Sequence, residues 1–269
     1  MLLLRRLARS VENNGVGGAI AHSWQRLIRS LKNHGISGTW ERAFRKAPKS
    51  PAVQVPEPPH PFDVFYGTDT GGYISGADLV STSQSSLYNT AYYGIAPSSL
   101  THALRSLPLE LDRFTFIDLG CGKGRAVMVA SELPFPRLIG VEIAPELCEA
   151  ARANIALKPE WASRITILNH DATTVEYPET PLLVFLFHPF LAPVLRRVLA
   201  NLERQLRRSP REMYLLYARN PRYTKVLERF PFLEEISDTA HPLSPWDAAV
   251  DRFGLTEERF TLYRANLPR

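Results

Sequence analysis

The run Phe116-Ile117-Asp118-Leu119-Gly120-Cys121-Gly122-Lys123-Gly124-Arg125 constrains this chain more than any other stretch. Residues 114–119 are apolar and β-rich and read as a buried strand. Three glycines at alternate positions follow, and helix-forming residues resume from Arg125. A strand that breaks into a glycine turn and opens a helix offers free backbone N–H groups to a ligand, without β-carbons in the way. The spacing selects the ligand. A dinucleotide loop follows G-x-G-x-x-G, which requires glycine at position 125, where this chain has Arg125. Asp118, near the strand end, would repel a pyrophosphate but suits a cationic amino group.

The pattern D-x-G-x-G-x-G resembles motif I of the class I S-adenosylmethionine (SAM) dependent methyltransferases. Three further runs extend the resemblance: the strand end Gly140-Val141-Glu142, the turn His170-Asp171-Ala172, and Phe185-Leu186-Phe187-His188-Pro189-Phe190. Together they look like bacterial class I methyltransferases of undefined substrate and, more distantly, lysine methyltransferases outside the SET class. The resemblance covers roughly residues 62–269. It implies SAM as cofactor and S-adenosylhomocysteine as product. By this likeness Asp118 holds the amino group, directly or through water, and Gly120, Cys121, Gly122 and Gly124 lie along the methionine moiety. The helix opening at Lys123–Ala126 neutralises its carboxylate. Glu142 accepts the ribose hydroxyls, since an ionised carboxylate has two acceptor oxygens. Asp171 takes the adenine amino group, with Ala172 against the ring. In many methyltransferases the segment before motif I closes the cofactor pocket, which adds Tyr93, Pro97 and Ser98.

His188-Pro189-Phe190 resembles the Asn/Asp-Pro-Pro-Tyr/Phe motif by which N-methyltransferases grip a nitrogen, with one proline and histidine in place of Asn or Asp. The likeness makes His188 a candidate hydrogen-bond acceptor or general base, with Pro189 and Phe190 lining the acceptor pocket. A protein lysine or another amine is the preferred acceptor, and RNA and small molecules stay open. Nucleic acid is not favoured, because the catalytic region has no basic stripe interleaved with aromatics. Two alternatives stand beside this reading: a non-catalytic SAM-binding scaffold or sensor, and an NAD-dependent oxidoreductase, which Arg125 disfavours. No metal site is expected.

From residue 114 strands and helices alternate. Strands are expected at 114–119, 138–142, 165–168, 182–187, 212–217, 232–236 and 260–263. Helices are expected at 98–107, with a serine N-cap, and at 125–133, 145–157, 193–207 and 222–229. Alternating βα units imply an α/β, Rossmann-like methyltransferase fold with a mostly parallel seven-stranded sheet and helices on both faces. Asp69-Thr70-Gly71 matches an aspartic-protease triplet, but a protease needs two facing aspartates and there is one copy. A loop folding over the cofactor is the better expectation for this region.

The charge is uneven. Residues 1–50 hold ten Lys/Arg and two acids, +8, so the remainder carries 5 − 8 = −3. The basic pI therefore belongs to the N-terminal segment. A weak 20-residue repeat, Ser10–Gly18 against Ser30–Gly38, suggests a helical extension over 1–46. Trp24, Leu27, Ile28 and Leu31 form one apolar stripe on a basic helix, suited to a partner protein, an anionic membrane surface or nucleic acid through residues 1–47. Residues 47–61 carry six prolines and read as a linker, leaving 62–269 as the methyltransferase domain. Two cysteines and no long apolar run point to a reducing, cytoplasmic setting, with peripheral membrane contact as the open variant.

Overall fold

The computed structural model describes residues 59–267, except 77, 80, 82, 84, 86 and 87. The expected helical extension at 1–46 and residues 47–58 of the linker lie outside the described residues.

Seven strands form one sheet: β1 (Thr115–Leu119), β2 (Arg137–Glu142), β3 (Ile165–Asn169), β4 (Leu182–Leu186), β5 (Met213–Ala218), β6 (Leu233–Pro242) and β7 (Glu257–Ala265). Their spatial order is β3-β2-β1-β4-β5-β7-β6. The first five run parallel, and β7 inserts antiparallel between β5 and β6. Strands β1 and β4 are buried throughout, as parallel strands covered on both faces must be. Alternate side chains serve opposite faces. Ile117, Leu119, Val184 and Leu186 pack beneath α6 (Ala192–Arg208) and α7 (Pro221–Leu227). Phe116, Leu138, Leu183 and Phe185 pack against α2 (Pro97–Arg105), α3 (Arg125–Ser131), α4 (Pro145–Ala156) and α5 (Pro159–Arg164). A short α1 (Pro61–Tyr66) precedes these, and α8 (Pro245–Val250) lies between β6 and β7.

The expected seven strands are present. The last two are longer than expected, because β6 is a largely exposed edge whose residues Glu234 to Ala240 lack an apolar rhythm. Helix α2 starts at Pro97 rather than at a serine; its N-cap is Ala96, which makes no side-chain capping bond. Among the described residues no helix is long and apolar enough to cross a membrane.

The described residues between 67 and 96 form a strap across the C-terminal ends of the parallel strands. Ser83 donates to Asp171 after β3. Thr90 donates its hydroxyl to the carbonyl of His188 after β4, and Asn89 pairs with Phe190 as an isolated bridge. Tyr92 donates its hydroxyl to the carbonyl of Thr70 at 2.7 Å, within the strap.

Candidate active site

Ligands of open α/β sheets bind beyond the strand C-termini, and the strap encloses a cavity there of about 850 Å³, including its mouth. Asp118, Gly120, Cys121, Glu142, Asp171 and Ala172 all line it, with Tyr93 from the strap. These expected residues, drawn from the ends of three strands, are brought together.

Asp118 sits in β1 and is 3% exposed. Among the described residues no side-chain or backbone donor engages its carboxylate. Burial, and then the nearby Glu142 carboxylate, push its pKa up to about 8. A cationic group in the cavity would reverse that effect by supplying the missing counter-charge.

Glu142 ends β2 and is already engaged. It accepts backbone N–H groups from Gly122 at 3.0 Å, Ile143 at 2.8 Å and Ala144 at 2.9 Å. Burial raises its pKa, and these three donors oppose the rise. With about four lone-pair sites on a carboxylate, roughly one is left for a ligand hydroxyl.

Asp171 contrasts with both. Burial raises its pKa, but hydrogen bonds from Ser83, Ser85 and Thr173 outweigh that and hold it at about 2. It is an anchored anion that ties the strap down.

The glycines serve the chain's own packing. Gly120 has φ +86, and a β-carbon there would lie 2.3 Å from Cβ of Pro189. Gly122 has φ +55, and its β-carbon would lie 2.2 Å from the Tyr92 ring. Gly120 lines the cavity, whereas Gly122 and Gly124 are not part of its lining. At Gly122, what fills the space of the absent side chain is a strap tyrosine.

Pro97 and Ser98, expected at the cofactor, are also outside the lining. Ser98 turns toward the C-terminal part of the chain: its N–H and Oγ both donate to Oδ2 of Asp247, at 2.8 and 2.5 Å. Ser99 donates to Glu258. Asp247 of α8 thus accepts a first-turn N–H of α2, the role an N-cap side chain usually fills, and Glu258 of β7 holds the Ser99 hydroxyl beside it.

Arg125 is buried and faces the strap. Its Nε donates to Oγ1 of Thr70 at 2.7 Å, Nη1 donates to the carbonyl of Ile95 at 3.2 Å, and Nη2 lies 3.6 Å from Oδ2 of Asp63. Lys123 donates to Oδ1 of Asp69 and to the carbonyl of Gly71. Asn154 of α4 accepts from the N–H of Asp69 and donates to its carbonyl and to that of Lys123. Asp69-Thr70-Gly71, the protease-like triplet, is therefore a docking point on the glycine loop.

His188 departs from expectation. It is not in the cavity lining, although Phe187, Pro189 and Phe190 are. The residue adopts φ +49, and its Nδ1 lies 3.2 Å from the Tyr93 hydroxyl. Burial lowers its pKa, partly offset by backbone groups of Ala218 and Arg219, and Nε2 has no hydrogen-bond partner. Burial, then Glu258, Asp251 and Tyr73, push the Tyr93 hydroxyl up to about 12. Near neutral pH Tyr93 is the donor, which makes Nδ1 of a neutral imidazole the acceptor. Tyr93 is held edge-on between Phe187, at 5.3 Å, and Phe253, at 4.9 Å.

A family model described as a methyltransferase domain matches residues 116–209. A search of curated proteins finds no match. Among solved structures, the chain is similar to magnesium protoporphyrin IX methyltransferase (ChlM) from Synechocystis PCC 6803 with bound SAM, at 13% identity. The alignment covers 63% of this chain and 78% of that one, with a TM-score of 0.45. It is similar to the glycopeptide N-methyltransferase MtfA complexed with SAM, at 13% identity over 66% of this chain and 96% of that one, TM-score 0.45. A TehB-like SAM-dependent methyltransferase from Corynebacterium glutamicum ATCC 13032 shares 16% identity, covering 65% and 90%, TM-score 0.39.

Proposed function

We propose that this chain, whose residues 116–209 match a methyltransferase-domain model, is a class I SAM-dependent methyltransferase that methylates a nitrogen of a protein lysine or another amine. The residues present suit the cofactor. Asp118 offers an unengaged carboxylate for an ammonium, and the remaining acceptor site of Glu142 suits a hydroxyl. Asp171 and Ala172 stand at the end of the cavity nearest β3. Bound SAM supplies an electrophilic methyl group on a sulfonium centre, so the protein's work is alignment and proton removal.

The observation that carries the nitrogen reading is the 3.2 Å contact between the Tyr93 hydroxyl and Nδ1 of His188, beside Phe187 and Pro189. An amine acceptor must shed a proton. Tyr93 Oη can take it while its own proton passes to His188 Nδ1, and the buried neutral imidazole is free to accept it. Tyr93 is then the group facing the acceptor, and His188 the group that orients it.

The test incubates the full chain with methyl-labelled SAM and cell lysate, then separates the label by nuclease and protease treatment. Label recovered as N-methyl amino acid or as a small methylated amine supports the reading; label released by nuclease overturns it. Transfer to nothing, with SAM still bound, would favour the SAM-binding scaffold, which the position of His188 outside the cavity lining also fits.

A further inference from the structure

We infer that the methyl acceptor is carried on a basic peptide segment of a protein, which docks across an aromatic lip formed by Tyr73, Phe253 and Tyr93 at the cavity mouth. The inference rests on the amine reading and names the form in which the amine arrives. Tyr93 is the link, because it lines the cavity and also packs against Phe253 outside it. Phe253 is 51% exposed and Tyr73 43% exposed. Arg252, next to Phe253, lays its guanidinium 4.6 Å from the Tyr73 ring centre, which joins the two aromatics into one surface.

Phe253 is presented deliberately. The Asp251 carboxylate accepts the N–H groups of Phe253 and Leu255, at 2.8 and 2.7 Å. Gly254 supplies the left-handed turn, φ +67. The backbone is thus built to hold a phenylalanine in water beside an active site, where an exposed apolar patch marks a binding surface.

Charge selects the occupant. Residues 62–96 carry Asp63, Asp69 and Asp78 and no Lys or Arg; residues 244–258 carry Asp247, Asp251, Glu257 and Glu258 against Arg252 alone. Within the chain Arg125 answers Asp63, Lys123 answers Asp69 and the start of α2 takes up Asp247, and burial pushes Glu258 up to about 7, which leaves Asp78, Asp251 and Glu257 against Arg252, a net −2 on the segments that carry the lip. A phosphate backbone would be repelled there, whereas lysine-rich chain is attracted. The ammonium side chain also has aromatic faces to pass over on its way to the cavity. A free small amine would occupy the cavity and leave the lip unused, whereas a peptide needs contacts on either side of the modified residue.

The test measures binding of a fluorescent peptide of alternating lysine and glycine to the full chain saturated with S-adenosylhomocysteine, by anisotropy. The same peptide with glutamate for lysine, and a single-stranded RNA, serve as comparisons. The expected result is a preference of about tenfold or more for the lysine peptide, weakened by salt. Phe253→Ala should reduce binding about fivefold or more, and Glu257→Gln should reduce it less, with S-adenosylhomocysteine affinity unchanged in both. Equal binding of the glutamate peptide, or insensitivity to Phe253→Ala, overturns the lip. So does RNA binding that is lost in Phe253→Ala; RNA held by the basic residues 1–50 would not respond to that change. Labelled free amines from lysate with no peptide binding would sink this inference while leaving amine methylation intact.

Discussion

Arg125 donates its Nε–H to the hydroxyl of Thr70 at 2.7 Å, joining the first residue of the motif helix to a strap residue 55 positions earlier. The same guanidinium reaches the carbonyl of Ile95 and the carboxylate of Asp63. Asp63 in turn accepts from Thr68 and from both the N–H and hydroxyl of Thr70. The residue that breaks the dinucleotide pattern is thus the one that holds the strap over the cavity.

Replacing Arg125 by Met keeps much of the volume and leaves Asp63 as a buried carboxylate without its cation. Such a loss costs about 3 kcal/mol, at the low end because Asp63 keeps three hydrogen bonds. A lowered melting temperature and weaker S-adenosylhomocysteine binding are expected together, since the strap and the cavity wall are one structure. Arg125→Lys should recover only part, because an ammonium cannot reach three divergent acceptors. Unchanged melting in Arg125→Met would show that the network does not stabilise the strap.

The Asp118 carboxyl gives a pH signature. Its folded pKa, about 8, lies above its ordinary 3.8. The folded protein therefore holds a proton that the unfolded chain has lost, and stability from this group fades as pH rises from about 4 through 8. Asp118→Asn removes that dependence, so the ligand-free variant should be more stable than wild type at pH 8, by roughly 1–3 kcal/mol. The same variant should bind S-adenosylhomocysteine about tenfold to a hundredfold more weakly. Wild-type affinity should climb between about pH 6 and 8, as binding of the ammonium expels the proton. Calorimetry in buffers of different ionisation enthalpy would count that proton, and no release would mean Asp118 does not meet the amino group.

The sheet was readable because its parallel strands are buried on both faces and stand out as short apolar runs: TFIDL, RLIGVE and LLVFL lie where the sequence put them. The acids near their ends could be placed by the same logic. What could not be read was the polar partnering across the chain. Ser98 has every local mark of an N-cap, yet it pairs with Asp247, 149 residues away, and no periodicity records such a contact. The helix α8 that carries Asp247 was missed for a related reason, as six residues between two strands give too short a pattern. Arg125 was noticed only as an absent glycine, and its task became visible once Thr70 and Asp63 lay beside it.

His188 separates a role beside the chemistry from a role in holding the cofactor. His188→Ala should lower kcat by about tenfold to a hundredfold while S-adenosylhomocysteine affinity stays within about twofold, because the imidazole stands behind Tyr93 and Phe187 and is not itself part of the cavity lining. Burial lowers the histidine pKa, and the reaction needs the neutral form. Activity should therefore rise with pH through a value below the ordinary 6.5 and then level off, as far as this group is concerned. His188→Asn tolerates the φ of +49 better than Ala does and can still accept from Tyr93, so it should retain more activity than His188→Ala. Loss of cofactor binding in both variants would move His188 into the cofactor pocket.

Two alanine substitutions at left-handed glycines separate backbone strain from close packing. Gly254 and Gly122 both have positive φ, +67 and +55, so alanine at either costs about 1–2 kcal/mol in backbone energy. At Gly254 nothing lies within 4 Å of the added carbon, whereas at Gly122 the Tyr92 ring lies 2.2 Å away. Tyr92 cannot give way cheaply, because its hydroxyl is bound to Thr70 and the ring is wedged between strap and glycine loop. Gly122→Ala should therefore cost about 2 kcal/mol more than Gly254→Ala, the range of an overpacked core. It should also loosen the strap, which limited proteolysis between residues 67 and 96 would report. Equal denaturation midpoints for the two variants would mean that the strap rests on the glycine loop more loosely than the Tyr92 contact requires.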